Sequence, residues 1–134
     1  KTLLGVETSI KFEKLAALSS AVEKYSGMRL GPAKPLVGEI TFTRESGLGI
    51  DALKREPRVG YCIHPGFVGR EFRMVLGKKS GKPSIEIKLQ EMGMEATEEQ
   101  MRTMLDRVKK MSIEKKGWLD ENEFREIAEG VLGR

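Results

Sequence analysis

Thr97-Glu98-Glu99-Gln100-Met101-Arg102-Thr103-Met104-Leu105-Asp106-Arg107-Val108-Lys109-Lys110-Met111 is the stretch that decides the fold. Its opening Thr-x-x-Gln is a capping box, in which each side chain satisfies an orphan backbone amide at the start of a helix. Met101, Met104, Leu105, Val108 and Met111 then recur at spacings of three and four, the period of one helical face. A methionine-rich stripe of this kind reads as core rather than as a ligand groove.

Working outward, Asp120 with Glu123 opens a second capped helix whose apolar face is Phe124, Ile127, Ala128 and Val131. On the other side, Ile85, Leu89 and Met92 share a face of a shorter helix that Gly93 closes. Three helices joined by short turns predict a compact helical subdomain at 80–134. Residues 1–79 form the other part. Thr8 or Ser9 can cap a first helix carrying Phe12, Leu15, Leu18, Val22 and Tyr25, and Gly27 ends it. The prolines and glycines of residues 27–38 predict an extended, irregular linker. A short strand or extended segment is expected at 39–43, a brief helical turn before Pro57, and a strand with Phe72, Met74 and Leu76 on one side. The expected class is mainly α, with one or two short strands in a linker or lid segment ahead of a three-helix subdomain.

Composition narrows the function classes. The chain has 134 residues, enough for one domain or two small subdomains. Its net charge of +4 arises from 24 basic and 20 acidic residues mixed along the chain, with no long basic run interleaved with aromatics. A solvated mixed surface is therefore expected, and no nucleic-acid partner. Cys62 is the single cysteine, which excludes an internal disulfide and suits a reducing, cytoplasmic setting. No stretch approaches the ~20 apolar residues of a membrane span. The opening lysine and the absence of signal-peptide anatomy lead us to expect a piece of a larger protein.

Several local patterns imitate functional sites. A calcium loop registered to end at Glu123 would place Lys116 at a ligand position, where its charge repels the cation. Cys62 and His64 supply two metal donors with no third in view, so His64 is expected to serve a hydrogen bond and no metal site is assigned. Gly77-Lys78-Lys79-Ser80-Gly81 ahead of a helix could hold a phosphate. It lacks the first glycine of the phosphate-loop pattern, and a plain strand–turn–helix connection is the simpler reading.

Residues 27–81 carry a more specific pattern. Gly27-Met28-Arg29-Leu30-Gly31-Pro32-Ala33-Lys34-Pro35-Leu36-Val37-Gly38 resembles the G-I-P-V-P-P-N-K-P-I-V-G segment of isopropylmalate, homocitrate and citramalate synthases. Arg44-Glu45-Ser46-Gly47-Leu48-Gly49-Ile50-Asp51 is similar to that family's H-E-S-G-I-H-x-D. Tyr61 precedes Phe67-Val68-Gly69-Arg70-Glu71 as the family's Y-E-P-F precedes L-V-G-R-E, and Val75 to Gly81 parallels V-L-G-K-H-S-G. The resemblance runs in order from about residue 4 to residue 93, and more loosely beyond.

The resemblance implies a parent with an N-terminal (β/α)8 barrel that binds a divalent metal and condenses an acyl-CoA with a 2-oxo acid. It implies an acyltransferase parent, a homodimer, and post-barrel segments that reach as a lid over the partner subunit's site. No cofactor is implied within this chain, which alone should be inactive. Tyr61 matches the family's lid tyrosine, a catalytic position. Arg44, Glu45, Ser46 and Asp51 match the substrate-side motif. Arg44 and Gly49 stand where the family has histidines, Lys79 replaces the histidine of K-H-S-G, and Ala33 replaces an asparagine. A glycine cannot shuttle a proton as imidazole can, so these departures point to a divergent subgroup with Arg44 available for a carboxylate. The competing class is a free-standing helical interaction module with no catalytic role.

Overall fold

The structure, a computed structural model, describes residues 4–133, apart from the side chains of residues 47, 48, 51, 54, 57 and 58. Helices α1 (Leu15–Ser26), α2 (Gly47–Arg55), α3 (Lys82–Glu91), α4 (Glu98–Lys115) and α5 (Glu121–Leu132) dominate. Two short strands, β1 (Thr43–Arg44) and β2 (Arg73–Met74), pair in parallel with Thr43 opposite Arg73 and Arg44 opposite Met74. The mainly α class with short strands is thus what the chain adopts. Among the described residues no helix is long and apolar enough to cross a membrane.

The chain divides into two compact units, residues 1–42 with 63–72 and residues 43–62 with 73–134. In the first, a 3-10 turn over Phe12–Lys14 leads into α1. Phe12 stacks on Phe67, with ring centroids 5.0 Å apart and planes 20° from parallel. Gly69 lies so close to the carbonyl of Glu13 that a β-carbon there would collide with it, and its φ of 74° is the left-handed region. The expected cap at Thr8 or Ser9 is not formed. The helix begins only after the 3-10 turn, with no side-chain cap, because the Phe12–Phe67 contact fixes where the chain turns. Gly27 does end α1, in the left-handed conformation. The expected apolar face is largely open, with Leu18, Val22 and Tyr25 all more than half exposed.

The proline-rich stretch after α1 is irregular but folded back on itself rather than extended. Lys34 N–H donates to Gly31 O, Gly38 N–H to Lys34 O, and Ile40 N–H to Pro32 O. Glycines and prolines make tight turns available, and here the backbone uses them to satisfy its own amides.

The second unit holds the main core. Leu76, Ile85, Leu89, Met104, Val108, Leu119, Phe124, Ile127 and Ala128 form one buried cluster, with Met101, Leu105 and Met111 packed against it. Both capping boxes are complete. Gln100 N–H donates to Thr97 Oγ1 and Thr97 N–H to Gln100 Oε1, and Asp120 and Glu123 do the same at α5. The strand expected around residues 72–76 is short and does not alternate, because Met74, Val75 and Leu76 are all buried while Phe72 is exposed. Val75 N–H donates to Arg44 O, and Leu119 N–H donates to Leu76 O. Both sides of this segment are covered, so the period-two pattern is lost.

Candidate functional site

The candidate residues lie in the second unit, along 43–62 and the turn at 77–80. Arg44 is the last residue of β1. Its guanidinium donates from Nη1 to Thr43 O and from Nη2 to Gly60 O, each at 3.0 Å. The same guanidinium lies 6.0 Å from the centroid of the Tyr61 ring, within cation–π range. Arg44 therefore joins the two ends of the segment that carries α2. Burial pushes the Tyr61 hydroxyl above its ordinary pKa of 10.0, and the positive charge of Arg44 opposes part of that rise.

Glu45 points to a different place. Its Oε1 accepts from Lys79 N–H at 2.7 Å and its Oε2 from Trp118 Nε1–H at 3.1 Å. The turn after β2 uses every amide it presents. Gly77 N–H donates to Ser80 Oγ, Lys78 N–H to Ser112 Oγ, and Ser112 Oγ in turn donates to Gly117 O. The backbone cradle that could have taken a phosphate at 77–80 is thus filled by the chain's own oxygens, one of them the Glu45 carboxylate. A plain connection between β2 and α3 is what the geometry supports at those amides.

Ser46 is exposed at the N-cap of α2 and makes no side-chain capping bond. Asp51 lies within α2, and its side chain is outside the described residues. Of the five sequence-matched residues, Arg44 and Tyr61 come together, Glu45 turns to the 77–80 turn, and Ser46 stands on the surface. Trp118 had no role in the sequence reading. Its partner lies 73 residues away, and no local pattern announces such a bond.

His64 accepts from Gly66 N–H at Nδ1 and caps the 3-10 turn Pro65–Val68, the hydrogen-bonding use expected of it. Among the described residues no three His, Cys, Asp or Glu side chains gather as a metal-binding set. The divalent ion implied by the family resemblance belongs to the expected barrel, and no chemical step is routed through it here.

Residues 36–116 match the family model described as homocitrate synthase post-HMGL domain-like. A putative (R)-citramalate synthase CimA from Methanopyrus kandleri is 42% identical over 132 residues, covering 98% of this chain and 26% of that protein. Homocitrate synthase AksA from the same organism is 36% identical over 132 residues, covering 98% of this chain and 33% of the relative. A probable 2-isopropylmalate synthase, also from M. kandleri, is 39% identical over 111 residues, covering 83% of this chain and 22% of the relative. The chain spans about a quarter of the length of the first of these.

Proposed function

Because the chain belongs to the homocitrate synthase post-HMGL domain-like family, we propose that it is the post-barrel part of a synthase that condenses an acyl-CoA with a 2-oxo acid. In this reading segment 44–61 is a lid over the active site of a second, identical subunit. The barrel supplies the divalent metal and the acid–base groups, and this chain supplies residues that close over the bound substrate.

The observation that carries the reading is the Arg44–Gly60 hydrogen bond beside Tyr61. It ties the lid at its base, so that α2 and its flanks move as one piece and the Arg44–Tyr61 pair is held as a unit. Arg44 already donates from both Nη atoms to backbone oxygens, and its other N–H groups are what a carboxylate, the group every 2-oxo acid carries, would meet. A tyrosine hydroxyl, protonated at neutral pH, can donate a hydrogen bond to an oxygen on which charge develops. Glu45, by contrast, anchors the lid's base to the helical core in this reading, and Ser46 and Asp51 remain substrate-side positions by the motif match alone.

The test is steady-state kinetics on the full-length protein. Tyr61→Phe lowers kcat about tenfold, equivalent to ~1.4 kcal/mol of transition-state stabilisation. Arg44→Ala raises KM for the 2-oxo acid with a smaller effect on kcat, because a charge clamp holds substrate and transition state alike. Wild-type kinetics in both folded variants would sink the lid reading and leave 44–61 as connecting structure.

A further inference from the structure

An open cleft of about 330 Å³ lies in the second unit between the 77–80 turn and the α4–α5 junction. Lys78, Lys79 and Lys116 stand on its rim, and Trp118 and Ile113 form its apolar wall. Trp118 is 37% exposed and Ile113 is 56% exposed, so apolar surface faces the solvent beside three lysines.

Two features bear on the charge of this rim. Lys82, Lys88 and Lys115, nearby in sequence, each pair with a glutamate. Among the described residues, Lys78, Lys79 and Lys116 form no ion pair. Glu45, the one carboxylate on the cleft wall, has both oxygens engaged, by Lys79 N–H and Trp118 Nε1–H. The second feature is Lys116 itself. It ends α4 with φ 55° and ψ 37°, a left-handed conformation that glycine adopts with less strain. A lysine kept in strained backbone at the edge of a cationic cleft points to a use for its side chain.

We propose that this cleft binds the phosphorylated end of a nucleotide, with the base on Trp118 and the phosphates on Lys78, Lys79 and Lys116. An exposed indole offers a face on which any base stacks, and neighbouring ammonium groups supply the salt-sensitive attraction for phosphate. The Glu45 hydrogen bond to Nε1 restrains the indole at the cleft wall. Two sources carry this chemistry, the nucleotide end of CoA and a free adenine nucleotide acting as an effector. The CoA source rests on the synthase reading above, while the site itself does not depend on the lid role of 44–61.

Trp118 is the chain's single tryptophan, so its fluorescence reports on the cleft directly. The chain is titrated with 3′,5′-adenosine diphosphate, with ADP and with inorganic phosphate. Saturable quenching by either nucleotide, weakened at least tenfold by high salt, is expected, and the stronger of the two identifies the source. Lys116→Gly should weaken binding several-fold while keeping or raising the thermal midpoint, a combination a purely structural lysine would not give. Lys78→Ala with Lys79→Ala should add a further loss. The proposal is overturned if inorganic phosphate gives the same response as the nucleotides, if no saturable quenching occurs, or if the lysine variants bind as the wild type does. Because binding and not turnover is read, failure here leaves the lid kinetics unaffected, and the reverse holds as well.

Discussion

The Glu45 carboxylate bridges the Lys79 amide and the Trp118 indole, a bond that spans 73 residues of sequence between Glu45 and Trp118. It ties the junction of β1 and α2 to the α4–α5 junction. Hydrogen bonds to a charged acceptor contribute up to about 1.5–3 kcal/mol each, and these two are solvent-exposed, so Glu45→Ala should destabilise the chain by about 1.5–3 kcal/mol in total. Trp118→Phe, which keeps an aromatic ring but loses the indole N–H and part of its packing, should cost about 1 kcal/mol or slightly more. Urea unfolding followed by circular dichroism checks both. The double variant should fall short of the sum, because the two residues share one bond. Full additivity would show that the bond carries no stability.

Gly77 sits against this clamp. A β-carbon built there would lie 2.6 Å from Glu45 Oε1 and 3.1 Å from Ser112 Oγ. Gly77→Ala should therefore cost about 1–3 kcal/mol, the range for overpacking a filled site. Gly117→Ala is the control, since its β-carbon would meet nothing nearer than 4.0 Å. That variant should stay within ~0.5 kcal/mol of the parent. Equal losses in the two would contradict the clamp geometry.

The capping boxes set a third expectation. Thr97→Ala and Asp120→Ala should each cost about 1 kcal/mol. Glu98 and Glu123 add an acid dependence. Hydrogen bonds from Lys82 and Lys115, respectively, hold their carboxyls below the ordinary value of 4.5. A carboxyl with a lowered folded-state pKa stabilises the fold above its unfolded pKa, and that contribution is lost as pH falls through the lower folded value. Stability measured from pH 6 downward should therefore begin to fall near 4.5, and Lys82→Ala with Lys115→Ala should flatten the curve. An unchanged acid profile in that double variant would rule the pairs out as its source.

Tyr61 makes the alkaline counterpart. Burial raises its pKa and Arg44 partly offsets the rise. Removing the charge with Arg44→Ala should move the phenol titration further up, as read by ultraviolet absorbance of the phenolate. The stability linked to the raised pKa is present below the ordinary tyrosine value of 10.0 and is lost as pH rises through the folded value. A downward movement in the variant would show that Arg44 does not face the ring.

What was legible in the sequence was local. Thr97 with Gln100 and Asp120 with Glu123 name their own partners three residues away, and both boxes form. The period of Met104 and Val108 gave the buried face of α4, where both are fully buried. Contacts between distant segments were not legible. Phe12 stacks on a ring 55 residues on, which moved the start of α1 past Thr8 and Ser9. Of the site, the motif brought out Arg44 and Tyr61, which do lie together. It also brought out Glu45 but not its partners, because a carboxylate's choice between a ligand, a backbone amide and an indole is made by tertiary packing.

The interleaving of the two units constrains how such a chain can be recombined. The chain passes from one unit to the other between 42 and 43, between 62 and 63, and between 72 and 73. A chimera made from two relatives with a single crossover inside this span cannot inherit both units whole from one parent each. Joined at 42/43, it mixes parents in the first unit, where Phe12 meets Phe67. Joined at 72/73, it mixes them in the second, where Arg44 O receives Val75 N–H and Glu45 reaches Trp118. Viable hybrids will need either two matched junctions or compensating changes at those contacts.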